Sequence, residues 1–209
     1  MKTIKTINPV VKVFQVTVFA CVIAVAGCSR PPAPRPVPAV HRASAALPSD
    51  QARLAELALN EKEWQVRRAA VQKLADQSVI EKVAAGDSST TVRRAAVKKL
   101  TDEIAIAKAA VEDRSSEVRS TAVERLTDEA VIAVVAVQDT DRAVRAAAVK
   151  KCTDQAVLEK VVLEDADWQV RSLAAGRLYN EELLEKISAE DRNDNVRRAA
   201  EKRLTAIKQ

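Results

Sequence analysis

Aromatic, glycine and proline residues are scarce in this chain of 209 residues. Only 2% of the residues are Phe, Trp or Tyr, and there are three Gly and seven Pro. Both Phe and all of the Pro residues lie within the first 48 positions. The lack of Pro after Pro48 leaves helix interiors unbroken. The lack of Phe in the same part of the chain requires a core built from aliphatic side chains.

Residues that carry most enzyme and metal chemistry are also few. The chain has one His, His41, and three Cys, which are Cys21, Cys28 and Cys152. It contains no His/Cys cluster with metal-ligand spacing, no glycine-rich phosphate loop and no nucleophile–base pair. We therefore expect no metal and no cofactor, and we expect that the protein is not an enzyme.

One pattern is abundant: a Val-Arg pair that recurs every 26 residues without a gap. The six copies are Val66-Arg67, Val92-Arg93, Val118-Arg119, Val144-Arg145, Val170-Arg171 and Val196-Arg197. A fixed period of 20–50 residues is typical of stacked structural repeats. Such stacks are usually binding surfaces, and their sequence rarely identifies the partner.

Each unit contains two short helical patterns. From Val144, apolar or small residues recur at four-residue spacing through Ala148 and Cys152, and a second apolar face surrounds Leu158. A helix of about ten residues is marginal in isolation. Each helix pair must therefore bury its apolar face on the next pair, which predicts an all-α stack.

The starts of the two helices are marked by acidic residues in the unit around Val144. Asp139 and Asp154 are predicted to be N-caps, because a carboxylate there accepts hydrogen bonds from free backbone N–H groups. The sequence leaves open whether the second segment is a full α-helix in every unit.

Three further columns have nearly constant residue types, and we expect them to form the core. The first is always Ala: Ala70, Ala96, Ala122, Ala148, Ala174 and Ala200. The second is Leu with one Cys: Leu74, Leu100, Leu126, Cys152, Leu178 and Leu204. The third, on the second helix, is Ile80, Ile106, Ile132, Leu158 and Leu184. Cys152 is accordingly expected to be a small buried apolar residue rather than a reactive thiol.

An acidic residue precedes every repeat Arg by six positions. It is Glu61 before Arg67, and elsewhere it is Asp: Asp87 and Arg93, Asp113 and Arg119, Asp139 and Arg145, Asp165 and Arg171, Asp191 and Arg197. Charges that recur identically in every unit serve the unit rather than one active site.

This Asp…Val-Arg pattern resembles that of HEAT repeats over about residues 50–209. The units are shorter than usual HEAT units and lack the Pro common in their first helix, and their length approaches that of the leucine-rich repeat variant family. The resemblance implies a right-handed α-solenoid of stacked short helix pairs, in which the Asp and Arg columns form hydrogen-bonded ladders between neighbouring units.

The two ends of the repeat region differ from its middle. Val40 lies 26 residues before Val66, and Asp50 falls in the Asp column of Asp154, so a degenerate first unit is expected from about residue 40. Pro48 and the missing Arg make its first helix doubtful. At the other end, Glu201 occupies a column that is otherwise Val or Ala, as a solvent-facing terminal unit requires.

The first 48 residues are predicted to be a targeting and tethering segment. Residues 1–27 combine a basic start, an apolar run and small residues, which describes a secretory signal peptide. Val25-Ala26-Gly27-Cys28 resembles a bacterial lipobox, which implies lipidation of Cys28 and a membrane anchor. A plain transmembrane anchor is the alternative, although the apolar run is short for one.

The residues after Cys28 bear on which membrane holds the protein and on the length of the linker. In the Gram-negative lipoproteins that this segment resembles, Asp directly after the lipidated Cys commonly signals retention in the inner membrane. Here Ser29 follows Cys28, so the resemblance implies an outer-membrane lipoprotein that faces the periplasm. Residues 28–48 are rich in Pro and Ala and predict an extended linker of about 3.1 Å per residue. The repeat region then spans residues 49–209, with units starting near 66, 92, 118, 144, 170 and 196.

The formal charge changes once these segments are separated. Removing Lys2, Lys5 and Lys12 with the signal peptide lowers the net charge from +5 to +2, and setting aside the three linker Arg residues lowers it to −1. A near-neutral repeat region lacks the basic footprint of a nucleic-acid binder.

Two sets of residues are candidates for binding. A cation recurs in the last turn of the first helix: Lys73, Lys99, Arg125, Lys151, Arg177 and Arg203. These cations either interact with the dipole of their helix or form a stripe for an acidic protein or glycan. Trp64 and Trp168 occupy equivalent positions four units apart, and they are either interface anchors or rings lying over the neighbouring unit.

The sequence therefore favours a membrane-anchored lipoprotein that presents a HEAT-like scaffold to an unidentified protein partner in the cell envelope. One alternative is an accessory subunit or lyase-like enzyme of the HEAT-like group, since the repeats also resemble phycobilisome lyases. Iron-dependent hydroxylases of similar build use several His-Glu pairs, which this chain lacks. Another alternative is a binder of an anionic envelope glycan.

Overall fold

The computed structural model describes residues 49–209, which form twelve α-helices. In chain order they are α1 (Ser49–Asn60), α2 (Trp64–Lys73), α3 (Gln77–Gly86), α4 (Thr90–Val97), α5 (Glu103–Glu112), α6 (Ser116–Arg125), α7 (Glu129–Gln138), α8 (Arg142–Lys151), α9 (Gln155–Glu164), α10 (Trp168–Ala175), α11 (Glu181–Glu190) and α12 (Asp194–Ile207). The predicted signal peptide, Cys28 and the linker lie outside these residues.

The helices stack in two layers. Each odd-numbered helix packs against the even-numbered helix that follows it, and each even-numbered helix packs against the next even-numbered one. All six even-numbered helices contain a Val-Arg pair, and we call them the Val-Arg helices. The prediction of an all-helical repeat solenoid is confirmed, and in every unit the segment between two Val-Arg helices is a full α-helix.

The core consists of the repeating aliphatic columns. The Ala column of the Val-Arg helices is buried from Ala70 to Ala200, and the Ile/Leu column of the odd-numbered helices is buried from Ile80 to Leu184. The Leu column is buried from Leu74 to Leu178, including Cys152, and burial raises the pKa of the Cys152 thiol. Leu204 is only partly buried, and Glu201 is exposed at the end of the column of Val and Ala residues.

Side-chain caps begin many of the helices. Asp154 is the N-cap of α9, as predicted, and its carboxylate accepts hydrogen bonds from the backbone N–H groups of Ala156 and Val157. The prediction for Asp139 is wrong, because Asp141 is the N-cap of α8. Asp139 instead follows the end of α7, where it accepts a hydrogen bond from the Asp141 N–H at 2.8 Å.

Candidate functional site

The repeat Arg residues join neighbouring units. In the middle of the stack, Arg145 donates from Nε to Asp165 Oδ2 at 2.7 Å and from Nη2 to Asp165 Oδ1 at 2.9 Å. Its Nη1 donates to the backbone oxygen of Asp139, six residues earlier, at 2.9 Å. One guanidinium therefore holds the loop of its own unit and the loop of the next unit together.

The same two-bond contact recurs in five places and forms a ladder. The pairs are Arg67–Asp87, Arg93–Asp113, Arg119–Asp139, Arg145–Asp165 and Arg171–Asp191. Arg197, in the last Val-Arg helix, contacts Asp194 on its own helix and donates to the Asp191 carbonyl.

Burial and hydrogen bonding have opposite effects on the pKa values of these carboxylates. Burial raises the pKa of Asp113, but the hydrogen bonds from Arg93 and from the Ser115 N–H lower it, and the net effect is a pKa below the ordinary value. The pKa values of Asp87 and Asp191 are lowered in the same way. These three carboxylates are therefore charged at neutral pH, and their oxygens accept hydrogen bonds from groups within the protein.

The predicted cation column also bridges units. Lys151 Nζ donates to the backbone oxygens of Glu124 at 2.9 Å and Leu126 at 2.5 Å, at the end of the preceding Val-Arg helix. Lys99, Arg125, Arg177 and Arg203 make equivalent contacts with the preceding unit. Carbonyls at a helix C-terminus lack partners within the helix, and the cations supply them.

This geometry changes the interpretation of that column. The dipole explanation predicted that each cation interacts with the C-terminus of its own helix. Five of the six cations instead bind backbone oxygens at the C-terminus of the Val-Arg helix in the preceding unit. Lys73 is exposed, and the unit before it would fall outside residues 49–209. Each of the other five cations donates at least one hydrogen bond to a backbone oxygen of the preceding unit, which reduces what it can offer to a partner.

A third set of contacts between units was missed by sequence reasoning. A Gln or Glu side chain in the first turn of α1, α3, α5, α7 and α9 accepts a hydrogen bond from the backbone just after the next Val-Arg helix. Gln155 Oε1 accepts from the Tyr179 N–H at 3.0 Å, and Glu103 Oε1 accepts from the Thr127 N–H at 2.5 Å. The signal in the sequence is a Gln/Glu column at 26-residue spacing: Gln51, Gln77, Glu103, Glu129, Gln155 and Glu181.

The two Trp residues occupy the first position of α2 and α10. Trp64 is 39% exposed and Trp168 is 38% exposed. The other Val-Arg helices begin with Thr90, Ser116, Arg142 and Asp194, so the fold does not require an aromatic side chain at this position. The rings are thus partly covered and partly available to solvent.

Other cations on the Val-Arg helices and the turns that follow them face solvent. They are not those predicted to bind a partner, and they occupy two different columns: Arg68, Arg94, Lys98, Lys150, Arg198 and Lys202. Arg94 is bound to Glu117 of the next unit at 2.9 Å. The acidic side chains of this surface are fewer, and they include Glu117 and Glu124.

Several open grooves in the described region lie between neighbouring helices of the same layer. One, of about 370 Å³, lies between α3 and α5 and is lined by Ala84, Ala109 and the exposed Ile104. Among residues 49–209, no group of three or more His, Cys, Asp or Glu side chains is placed to hold a metal ion. No helix within this range has both the length and the apolar character needed to cross a membrane.

No family model matches the chain, and no curated protein matches it. Among solved structures, a designed armadillo repeat protein, YIII(Dq)4CqI, aligns with 75% of this chain and 99% of its own length, at 18% sequence identity and a TM-score of 0.39. The description of the fold as a helical repeat solenoid rests on the helix packing within this chain.

Proposed function

We propose that this protein is a lipid-anchored scaffold of the bacterial cell envelope that docks another protein on the edge of its solenoid marked by Trp64 and Trp168. The observation that carries the proposal is the half-exposed indole at the same position of two different repeat units. Trp is strongly enriched among the residues that dominate protein–protein binding energy.

The spacing of the two indoles suits an extended partner. They are four repeat units apart along the stack. With a spacing of roughly 8–10 Å between packed helices, the separation is about 32–40 Å. A partner that buries both rings must span most of the solenoid, and a small ligand cannot do so.

Charge on the Val-Arg helices favours an acidic partner. Arg68 lies one turn after Trp64 on α2, and Lys98 and Lys150 are exposed farther along the same layer. Such charges increase the rate of encounter with an acidic surface and lose this effect as salt rises. Burial of the Trp rings would supply the part of the affinity that salt does not remove.

The N-terminal segment supports the envelope location in this proposal. Cys28 at the end of an apolar run is the expected lipidation site, and the Pro-rich residues 29–48 are the expected tether. We expect a Pro-rich linker of this length to span tens of ångströms if it is extended, at about 3.1 Å per residue. A partner in the periplasm could then reach the whole edge of the stack.

The test is capture from an envelope extract by the mature protein, with each bound protein quantified by mass spectrometry. Trp64→Ala, Trp168→Ala and the double variant should each reduce capture of the same protein, and the double variant should reduce it most. Tyr179→Ala is the matched control, because Tyr179 is 66% exposed but lies at a different position of the unit. Equal capture by wild type and by the double variant, with the helical circular dichroism spectrum intact, would reject this docking edge.

Binding of an anionic envelope glycan is the second candidate, and the solvent-facing cations favour it. In this case Arg68→Glu and Lys98→Glu should abolish binding to the polysaccharide fraction, whereas the Trp variants should retain it. Binding should also disappear at high salt, because it would rest on exposed charges.

A further inference from the structure

Helix α7 has an uncharged face toward solvent in the layer of odd-numbered helices. Glu129 is the one charged residue of α7, and it opens the helix. Ile132, Val135 and Ala136 are buried in the core, whereas the side chains of the opposite face are exposed or only partly buried. We call this opposite face the α7 outer face, and it consists of Ala130, Ala133, Val134 and Val137. A helix that is apolar all round is normally covered on all sides.

The equivalent positions of other units show that the fold does not require an apolar face here. Val134 falls in a column that is otherwise Lys from α3 to α11, and all four lysines are exposed: Lys82, Lys108, Lys160 and Lys186. Ala133 falls in a column that holds Glu in three of the same helices: Glu81, Glu159 and Glu185. A unit therefore accommodates charges at both positions, and their absence from α7 indicates a role other than folding.

Two large apolar side chains extend the α7 outer face onto the neighbouring helices. Ile104 on α5 lies in the column of Ala130 and is 67% exposed. Leu163 on α9 lies in the column of Val137 and is 58% exposed. Both α5 and α9 pack beside α7 in the same layer. The apolar surface thus crosses three helices in the middle of the layer, and exposed surfaces of this kind mark interaction sites.

The charges beside this surface are of both signs. Each neighbouring helix has one exposed Lys and one exposed Glu a helical turn apart: Lys108 and Glu112 on α5, and Lys160 and Glu164 on α9. An anionic bilayer or an acidic protein would be repelled by the Glu residues, and a basic protein would be repelled by the Lys residues. A partner that suits this surface carries an apolar centre with a Lys and a Glu on each side, which is what an identical surface offers.

We propose that two copies of the chain associate through their α7 outer faces to form a two-fold dimer. Two-fold dimers are the commonest protein oligomers, and both subunits use the same surface patch. Ile104, Val134 and Leu163 of both copies leave water in this arrangement, and the Lys and Glu side chains on either side meet opposite charges of the other copy. Trp64 and Trp168 open Val-Arg helices in the other layer, so the dimer does not occupy them.

The size of the surface indicates a weak association. Helices α5, α7 and α9 have 10 residues each. With a rise of about 1.5 Å per residue and a spacing of about 10 Å between helices, their outer faces cover roughly 450 Å² on each copy. Interfaces that bury less than about 1,200 Å² in total are typically transient. The dimer should therefore form at high protein concentration and dissociate on dilution.

Replacing part of the α7 outer face by its counterpart on α9 tests the dimer. Ala133→Glu combined with Val134→Lys gives α7 the pair that α9 has in Glu159 and Lys160. Sedimentation of the full chain in density-matched detergent, from about 1 μM to about 1 mM, measures the dissociation constant. The double variant should raise this constant at least about tenfold, because each substitution occurs twice in a two-fold interface.

Ala146→Arg on α8 is the matched control in the other layer. Its column already contains Arg68, Arg94 and Arg198, so the Val-Arg helices accommodate the new side chain. This variant should dimerise like the wild type, and both variants should keep the circular dichroism spectrum and urea midpoint of the wild type. A wild type that stays monomeric up to about 1 mM would overturn the proposal, and so would a dimer that the double variant does not weaken.

Hydroxyl-radical labelling of the wild type tests the same contact without a substitution. Labelling of Ile104 and Leu163 should fall at the concentration where the dimer forms. Leu59, in the column of Leu163 but on α1, is 45% exposed and should be labelled equally at both concentrations. Unchanged labelling of Ile104 and Leu163 would overturn the proposal. Protection of Leu59 instead, with masses above that of a dimer, would assign the contact to end-to-end stacking and overturn it as well.

Discussion

Arg93 and Asp113 are joined across the boundary between two repeat units by two parallel hydrogen bonds, from Nε to Oδ2 at 2.8 Å and from Nη2 to Oδ1 at 2.9 Å. Arg93 is 2% exposed, and its Nη1 donates to the backbone oxygen of Asp87 at 2.9 Å. A buried guanidinium in this state is tolerated only because its donors are satisfied. Removing either partner therefore leaves an uncompensated buried charge.

Adjacent arginines on α4 provide a matched comparison for this ladder. Arg93→Ala should lower the free energy of unfolding by about 3–5 kcal/mol, because it leaves Asp113 buried without its partner. Arg94→Ala should cost at most about 1 kcal/mol, since the Arg94 side chain is 40% exposed and its pair with Glu117 is at the surface. Urea denaturation measures both, and equal losses would contradict a structural role for the ladder.

Acid should weaken the stack through the same carboxylates. The pKa values of Asp87, Asp113 and Asp191 are lowered in the folded protein: burial raises them, and the hydrogen bonds from Arg and backbone N–H groups outweigh it. Their contribution to stability is therefore complete above the unfolded value of about 3.9 and is lost as pH falls through the lowered values.

Urea midpoints measured between pH 7 and pH 2 test this dependence. Asp113→Asn should be less stable than wild type at neutral pH and should lose less stability on acidification, because the variant no longer binds a proton at that position. If wild type and Asp113→Asn lose stability equally between pH 4 and pH 2, the lowered pKa of Asp113 does not contribute.

The cation column should contribute to stability through the preceding helix. Lys151→Met removes two hydrogen bonds to backbone oxygens while keeping most of the side-chain length, and it should cost about 1–2 kcal/mol. Lys150→Met, on the exposed neighbour, should be close to neutral. Thermal unfolding of the two variants distinguishes them, and indistinguishable midpoints would mean that the carbonyl contacts contribute nothing.

Lipidation is predicted at Cys28. Mass spectrometry of the protein expressed in a bacterial host should find a mature N-terminus at Cys28 carrying acyl chains, and Cys28→Ser should accumulate as uncleaved precursor without lipid. Cys152→Ser, which changes the buried thiol, should be processed normally. A mature N-terminus elsewhere, without lipid, would reject the anchor.

The repeating columns were predictable because a 26-residue period fixes which residues are equivalent. The helix pairs and the aliphatic core followed from that period and from four-residue spacing alone. The Asp139 cap was predicted wrongly, since Asp139 and Asp141 are both suitable residues and only the backbone decides which one begins α8. The Gln/Glu column was visible in the sequence, but no local pattern indicates that its members from Gln51 to Gln155 bind a backbone group in the next unit.

The roles of the cations could not be derived from sequence for a similar reason. Lys151 and Lys150 are neighbours of the same type, and helical periodicity places both near the surface of α8. Only the offset between successive units determines that Lys151 reaches Leu126 while Lys150 faces solvent. That offset depends on how the units pack, which the period leaves undetermined.

Lys99 and Lys151 bridge neighbouring repeat units, and we propose that Trp64 and Trp168 bind the partner. Two double variants test these roles: Lys99→Met with Lys151→Met, and Trp64→Ala with Trp168→Ala. For each one, the urea midpoint and the capture of the envelope protein are measured. We predict a lowered midpoint with capture retained for the lysine pair, and a retained midpoint with capture lost for the tryptophan pair. Loss of capture by the lysine pair at an unchanged midpoint, with capture retained by the tryptophan pair, would contradict the account.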